Sequence, residues 1–166
     1  CFWCTEAVFL ELKGVVGVTP GYAGGTAPNP SYEQVSMGNT GHAEVIQIEY
    51  DPSMISLAKL LEVFFASHDP TTLNRQGNDV GTQYRSVIFY SDDSQKNEAE
   101  KSIYKLTASK KYGKPIVTEI VQLDKFYPAE EYHKRYYENH PVEGYSMAII
   151  APKVEKVRKD FKDQLK

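Results

Sequence analysis

The sequence has little cysteine. Among 166 residues only Cys1 and Cys4 carry thiols, so no disulfide framework can hold the fold and packing must do so. It lacks an excess of either charge. Lys and Arg number 19 against 22 Asp and Glu, a formal net charge of −3, which leaves no electrostatic footprint for nucleic acid. It also lacks long apolar runs, none approaching the roughly 20 residues that a membrane-spanning helix needs. No internal repeat, low-complexity tract or Pro/Ser-rich linker divides the chain. Residues 1–166 therefore read as one domain, long enough to bury a core. The charged and apolar regions that mark export are absent, so a cytoplasmic location is expected. The chain opens on Cys1 rather than Met, and further residues are expected ahead of it.

What the sequence has in surplus is tyrosine, 12 residues against one tryptophan. Phenol hydroxyls need partners when buried, and some can donate to a ligand. Thr5 to Lys13 carries apolar positions that fit a short helix, with Gly14 placed to close it. Val15, Val16 and Val18 suggest a strand. Pro20 to Pro30 reads as a loop by composition. Ser31 and Gln34 resemble a capping box opening a brief helix. From Ala43 to Tyr50 the residues alternate. Glu44, Ile46, Ile48 and Tyr50 share one face and Val45, Gln47 and Glu49 the other, which predicts a strand with Glu44 entering its buried side.

Ser56 predicts a cap for a helix with Leu57, Leu60, Leu61, Phe64 and Phe65 on one face, stopped at His68-Asp69-Pro70. A polar loop, Asn74 to Gln83, leads to a strand near Tyr84 to Tyr90. A charged helix is predicted from Asp92 to Lys111, a strand from Ile116 to Val121, a helix from Pro128 to Glu138 and a terminal helix from Pro152 to Lys166. Strands alternating with helices indicate an α/β or α+β layered domain.

Cys1-Phe2-Trp3-Cys4 stands just before a helix. Unpaired backbone N–H groups and the helix dipole stabilise a thiolate there. The pair fits two buried small residues, a redox CxxC, half a zinc site completed from His42, His68, His133 and His140, or one catalytic cysteine beside an aromatic wall. No His-x₃₋₅-His spacing supports zinc. For Glu44, Tyr32, Tyr84 and Asp79 taken singly, ordinary roles in solvation, packing or turns compete with functional ones.

Segments elsewhere bear on the choice. Cys1-Phe2-Trp3 with Glu6, Gly21-Tyr22-Ala23-Gly24-Gly25, Pro28-Asn29-Pro30-Ser31-Tyr32, Gly41-His42-Ala43-Glu44, Tyr50-Asp51-Pro52, His68-Asp69-Pro70, Gln76 to Ser86 and Ala129-Glu130-Glu131-Tyr132-His133 occur in one order. Together they resemble the peptide-methionine (S)-S-oxide reductases, the methionine sulfoxide reductase A family, from Cys1 to about Tyr145. The resemblance implies a two-layer sandwich with a mixed central sheet and a βαββαβ, ferredoxin-like core, whose first strand would largely precede Cys1. It implies Cys1 as the nucleophile on the sulfoxide sulfur, and Phe2 and Trp3 as the aromatics that hold the S-methyl group. Glu44 would be the acid that protonates the sulfoxide oxygen, Tyr32 and Tyr84 the phenols that donate to it, and Asp79 a supporting carboxylate. Neither metal nor organic cofactor is implied. The partners would be methionine sulfoxide, free or in proteins, and an external thiol such as thioredoxin, glutaredoxin or dithiothreitol, with no nucleic acid and no membrane.

The residues suit that chemistry. Removing a sulfoxide oxygen needs a soft nucleophile on sulfur and a proton for the oxygen. A thiolate supplies the first, and a carboxyl kept protonated by burial supplies the second. Cys1 would be left as a sulfenic acid, which condenses readily with a thiol. Gly144-Tyr145-Ser146 stands where Gly-Tyr-Cys would be expected, so a C-terminal recycling cysteine is lacking. Cys4 stands where the family commonly has Gly and is a candidate resolving residue. The direction of the helix would carry it away from the pocket, and an external thiol is the favoured route.

Overall fold

The computed structural model describes residues Cys1–Lys166. Its first helix, α1 (Phe2–Leu10), starts at Cys1, which caps it without a side-chain hydrogen bond. The helix thus begins three residues before the predicted start, and the CxxC segment lies inside its first turn. Strand β1 runs from Val15 to Ala23, well into the predicted loop. Gly21 explains the difference. A Cβ there would collide with the Tyr127 carbonyl oxygen and the Phe126 ring, so this glycine permits close strand packing rather than a turn.

Helix α2 (Tyr32–Ser36) carries the expected capping box between Ser31 and Gln34. Strand β2 (Ala43–Tyr50) matches the predicted bounds. Glu44, Ile46, Ile48 and Tyr50 are half-buried, whereas Gln47 and Glu49 are exposed. Helix α3 (Leu57–Ser67) is capped by Ser56. A short hairpin follows, β3 (Arg75–Gln76) with β4 (Asp79–Val80), then a 3₁₀ turn over Thr82–Tyr84 and strand β5 (Val87–Tyr90). Helix α4 (Asp93–Ala108) leads to β6 (Glu119–Gln122) and β7 (Phe126–Pro128).

The helix expected from Pro128 to Glu138 does not form. The segment breaks into β7, a 3₁₀ turn at Glu131–His133 and helix α5 (Tyr136–Asn139). The break comes at Arg135, held in the left-handed region with φ 51° and ψ 38°, which an L residue in a continuous helix does not adopt. A π-helical turn over Ser146–Ile150 leads into the last long helix, α6 (Ala151–Asp160).

The molecule is of mixed α and β structure. Its strands form an antiparallel ladder β2-β1-β7, the β3–β4 hairpin and a parallel β5–β6 pair. The main core lies between α1, α3 and α6, where Val8, Phe9, Leu12, Val63, Ile150 and Val154 are buried. A smaller cluster of Phe2, Tyr22, Val35 and Ala129 sits at the start of α1, with Cys1, Trp3 and Tyr32 packed against it. No helix is long and apolar enough to cross a membrane.

Candidate active site

The β1–β2 register sets the acid. Tyr22 pairs with Glu44, and Glu44 turns inward below the start of α1. Its Oε2 accepts the Phe2 amide at 3.3 Å, one of the N–H groups that a helix leaves unpaired at its first turn. This places a carboxyl group beside Cys1. Burial pushes the Glu44 carboxyl above the ordinary carboxyl range, and the neighbouring Asp79 charge adds to the shift, while the Phe2 amide opposes it. Both effects of sign follow from physics: a desolvated or like-charged carboxylate prefers its proton.

Two phenols lie near enough to Glu44 to feel its charge. Tyr32 opens α2, and Tyr84 closes the 3₁₀ turn. The turn is fastened to the end of α2 by Gln83 Nε2 donating to the Ser36 carbonyl at 3.2 Å and to the segment after it by Thr82 donating to the Gly38 carbonyl at 3.3 Å. Arg85 adds a bond of 3.0 Å to the Gly41 carbonyl. Burial raises the Tyr32 phenol above its usual value and pushes Tyr84 up to about 12, with the Glu44 charge contributing to both. Both stay protonated donors at neutral pH.

Phe2 and Trp3 form the aromatic wall. Phe2 is buried, and its ring lies 6.5 Å from Tyr32. Trp3 stacks on Tyr136 with centroids 3.7 Å apart and planes 7° from parallel, and meets Tyr145 edge-on at 5.7 Å. The Tyr145 hydroxyl donates to Asp79 Oδ2 at 2.9 Å. Asp79 is therefore tied to the wall that holds Trp3. The two thiols differ in exposure. Cys1 is half-buried and packs against the main core cluster, of which the buried Cys4 is a member. Both are free. Ser146 is buried at the π-helical turn.

Sequence motifs give three further residues at the site no role in the sulfoxide chemistry, although Glu130 and His133 lie in a segment that carries the family resemblance. His133 is fully buried, and its Nδ1 accepts the Trp3 indole N–H at 3.0 Å, so its proton lies on Nε2. Burial lowers its pKa, which keeps that tautomer neutral. Glu130 accepts the Tyr32 amide at 3.1 Å and the Tyr22 hydroxyl at 3.2 Å, joining β1 to α2. Tyr136 supplies the stacking face. All three lie within Pro128–Glu138, which forms no continuous helix, so helical periodicity does not show their approach to Trp3. Of the other histidines, His140 stacks on Tyr136 with ring centroids 4.5 Å apart, while His42 and His68 lie elsewhere. His42 Nδ1 accepts the Gly25 amide while its Nε2 donates to the Ala27 carbonyl. The His68 ring bonds the Phe64 carbonyl and Ser86, and burial holds its pKa down to about 4. No three His, Cys, Asp or Glu side chains gather into a group that could hold a metal ion.

Comparison with known proteins decides the family. The family model described as peptide methionine sulfoxide reductase matches residues 1–165. The chain belongs to the peptide methionine sulfoxide reductase family. The peptide methionine sulfoxide reductase MsrA of Sulfolobus acidocaldarius is 56% identical over 164 residues, covering 99% of this chain and 92% of that protein. The MsrA of Deinococcus radiodurans is 52% identical over 166 residues, covering 100% and 81%. Among solved structures, reduced Mxr1 from Saccharomyces cerevisiae matches with a TM-score of 0.80 at 39% identity over 86% of this chain and 82% of that one. Methionine sulfoxide reductase A of Corynebacterium diphtheriae matches with 0.75 at 35% identity, over 86% and 72%.

Proposed function

We propose that this reductase removes oxygen from methionine S-sulfoxide, free or in proteins, through a sulfenic acid on Cys1. The observation that carries this reading is the buried Glu44 carboxyl held against the first turn of the helix that Cys1 begins. The Cys1 thiolate bonds to the sulfoxide sulfur, and Glu44 gives its proton to the sulfoxide oxygen. Tyr32 and Tyr84 donate hydrogen bonds to the same oxygen as charge develops on it. Phe2 and Trp3 hold the S-methyl group. The protonated oxygen then passes from the substrate sulfur to the Cys1 sulfur as both the S–O bond to that sulfur and the new S–S bond break, which leaves methionine and Cys1 as sulfenic acid. A first external thiol condenses with that group, releasing water and forming a mixed disulfide, and a second thiol restores Cys1. Thioredoxin, glutaredoxin or dithiothreitol fits this part, and no metal or organic cofactor enters the scheme. Regeneration by an external thiol is favoured over Cys4, because Cys4 is buried in the core. A chain whose two thiols are free suits a reducing compartment, and the cytoplasm is the proposed location.

The finer architecture, a single two-layer βαββαβ domain over residues 1–166, is also proposed. A cavity of about 420 Å³ extends from Cys1, Glu44 and Tyr84 between β2 and β5. Consecutive residues of both strands line it, Val45 to Ile48 and Val87 to Phe89, so it runs along strand edges rather than over one face. β2 pairs only with β1, and β5 only with β6. One more strand in this trough would join the two ladders into a single mixed sheet.

A single turnover without reductant tests the mechanism. Wild type and Cys4→Ala should each release about one methionine per chain and leave a dimedone-reactive sulfenic acid on Cys1. Loss of two hydrogens as a Cys1–Cys4 disulfide in the wild type would overturn the external-thiol route. Turnover by Cys1→Ser would overturn the whole mechanism.

A further inference from the structure

Glu6 is a buried carboxylate that the proposed reaction does not use. It is 2% exposed, and a carboxyl group is rarely kept so far from water without a specific partner. Its partners are backbone. Oε1 accepts the Arg135 amide at 2.9 Å, and the Tyr136 amide lies beside it. Those two amides flank the point where the chain turns through the left-handed region at Arg135, a conformation that an L side chain keeps only where its surroundings hold it. Tyr136 is also the residue whose ring stacks on Trp3 at 3.7 Å. Trp3 and Glu6 are three residues apart on α1 and so present themselves on one helix face.

We propose that Glu6 is a positioning residue for the sulfoxide site: by holding the amide of left-handed Arg135, the residue before Tyr136, it sets the Tyr136 ring against Trp3 and so fixes the wall that receives the substrate's S-methyl group. The proposal rests on the reading of Phe2 and Trp3 as that wall. One carboxylate on the helix thereby locks both halves of the stack. Glu6→Ala removes both acceptors. Glu6→Gln keeps one carbonyl oxygen but turns an NH₂ toward the other amide, so it should fall between Glu6→Ala and the wild type.

The test is steady-state kinetics on N-acetyl-methionine S-sulfoxide with dithiothreitol. An aromatic contact of this kind corresponds to roughly a three- to tenfold change in binding. We expect KM to rise by about that factor in Glu6→Gln, with kcat within about twofold of wild type. Trp3 is the only tryptophan in the chain, so its fluorescence reports the stack directly and should shift in the same variant. Tyr136→Leu should raise KM similarly, and adding Glu6→Gln to it should raise KM little further, since both act through one contact. A lowered melting temperature with unchanged KM and unchanged Trp3 emission would overturn the proposal. So would fully additive KM effects. Should Glu6→Gln fail to fold, Glu6→Asp, which withdraws the carboxylate by one methylene, is held to the same split. If the wild type itself does not turn over the sulfoxide, the functional reading fails. If it does and KM is unmoved in the Glu6 variants, only the role of Glu6 fails.

Discussion

In the proposed reaction Glu44 gives up a proton at neutral pH, and such a group needs a reason to hold one until then. For Glu44 the reason is burial, reinforced by the Asp79 charge. Glu44→Gln keeps the shape and loses the proton, and should lower the rate with dithiothreitol by about 10²-fold or more. The wild-type rate should fall as pH rises through the elevated Glu44 value, and the residual rate of Glu44→Gln should not show that limb. The same shift bears on stability. A carboxyl raised in the folded state contributes fully below its unfolded value, about 4.3. The contribution is lost as pH rises through the folded value, because a buried anion must then form. Melting curves should therefore show Glu44→Gln gaining on the wild type between acid and neutral pH. A constant difference across that range would contradict the assignment.

At the level of elements, legibility followed periodicity. The alternation of Ala43–Tyr50 predicted β2 to the residue, and the apolar face behind Ser56 predicted α3. Where backbone geometry departs from a regular period, the prediction fails. Pro20 and Gly21 look like loop residues, yet they lie in β1 opposite Ile46 and Val45. The glycine is required there by the approach of Tyr127 and Phe126, which come from more than a hundred residues away. Likewise, the left-handed Arg135 interrupts a stretch whose composition supports a helix, and a distant carboxylate, Glu6, accepts its amide there. Gly21→Ala is thus predicted to destabilise the fold by about 1–3 kcal/mol, the usual cost of overpacking. Urea denaturation measures it, and a change within a few tenths of a kcal/mol would return Gly21 to the status of an ordinary strand residue.

At the level of the whole molecule, the site is assembled from four parts of the chain. They are the start of α1, the inward face of β2, the Tyr32 and Tyr84 turns, and the segment from Glu130 to Tyr145. The first three were legible because their motifs are compact. The last was not, since Glu130, His133, Tyr136 and Tyr145 act through contacts with Trp3, Tyr32 and Asp79 that only the tertiary fold creates. The central claim is that this assembly reads the handedness of a sulfoxide: sulfur toward Cys1, methyl toward Phe2 and Trp3, oxygen toward Glu44 and the two phenols. Three distinct contacts on one sulfur fix one enantiomer. The most direct measurement supplies the resolved S and R epimers of N-acetyl-methionine sulfoxide separately, with dithiothreitol in excess. The S epimer should be consumed through many turnovers and the R epimer left untouched. Consumption of the R epimer alone, or of both at similar rates, would contradict the account.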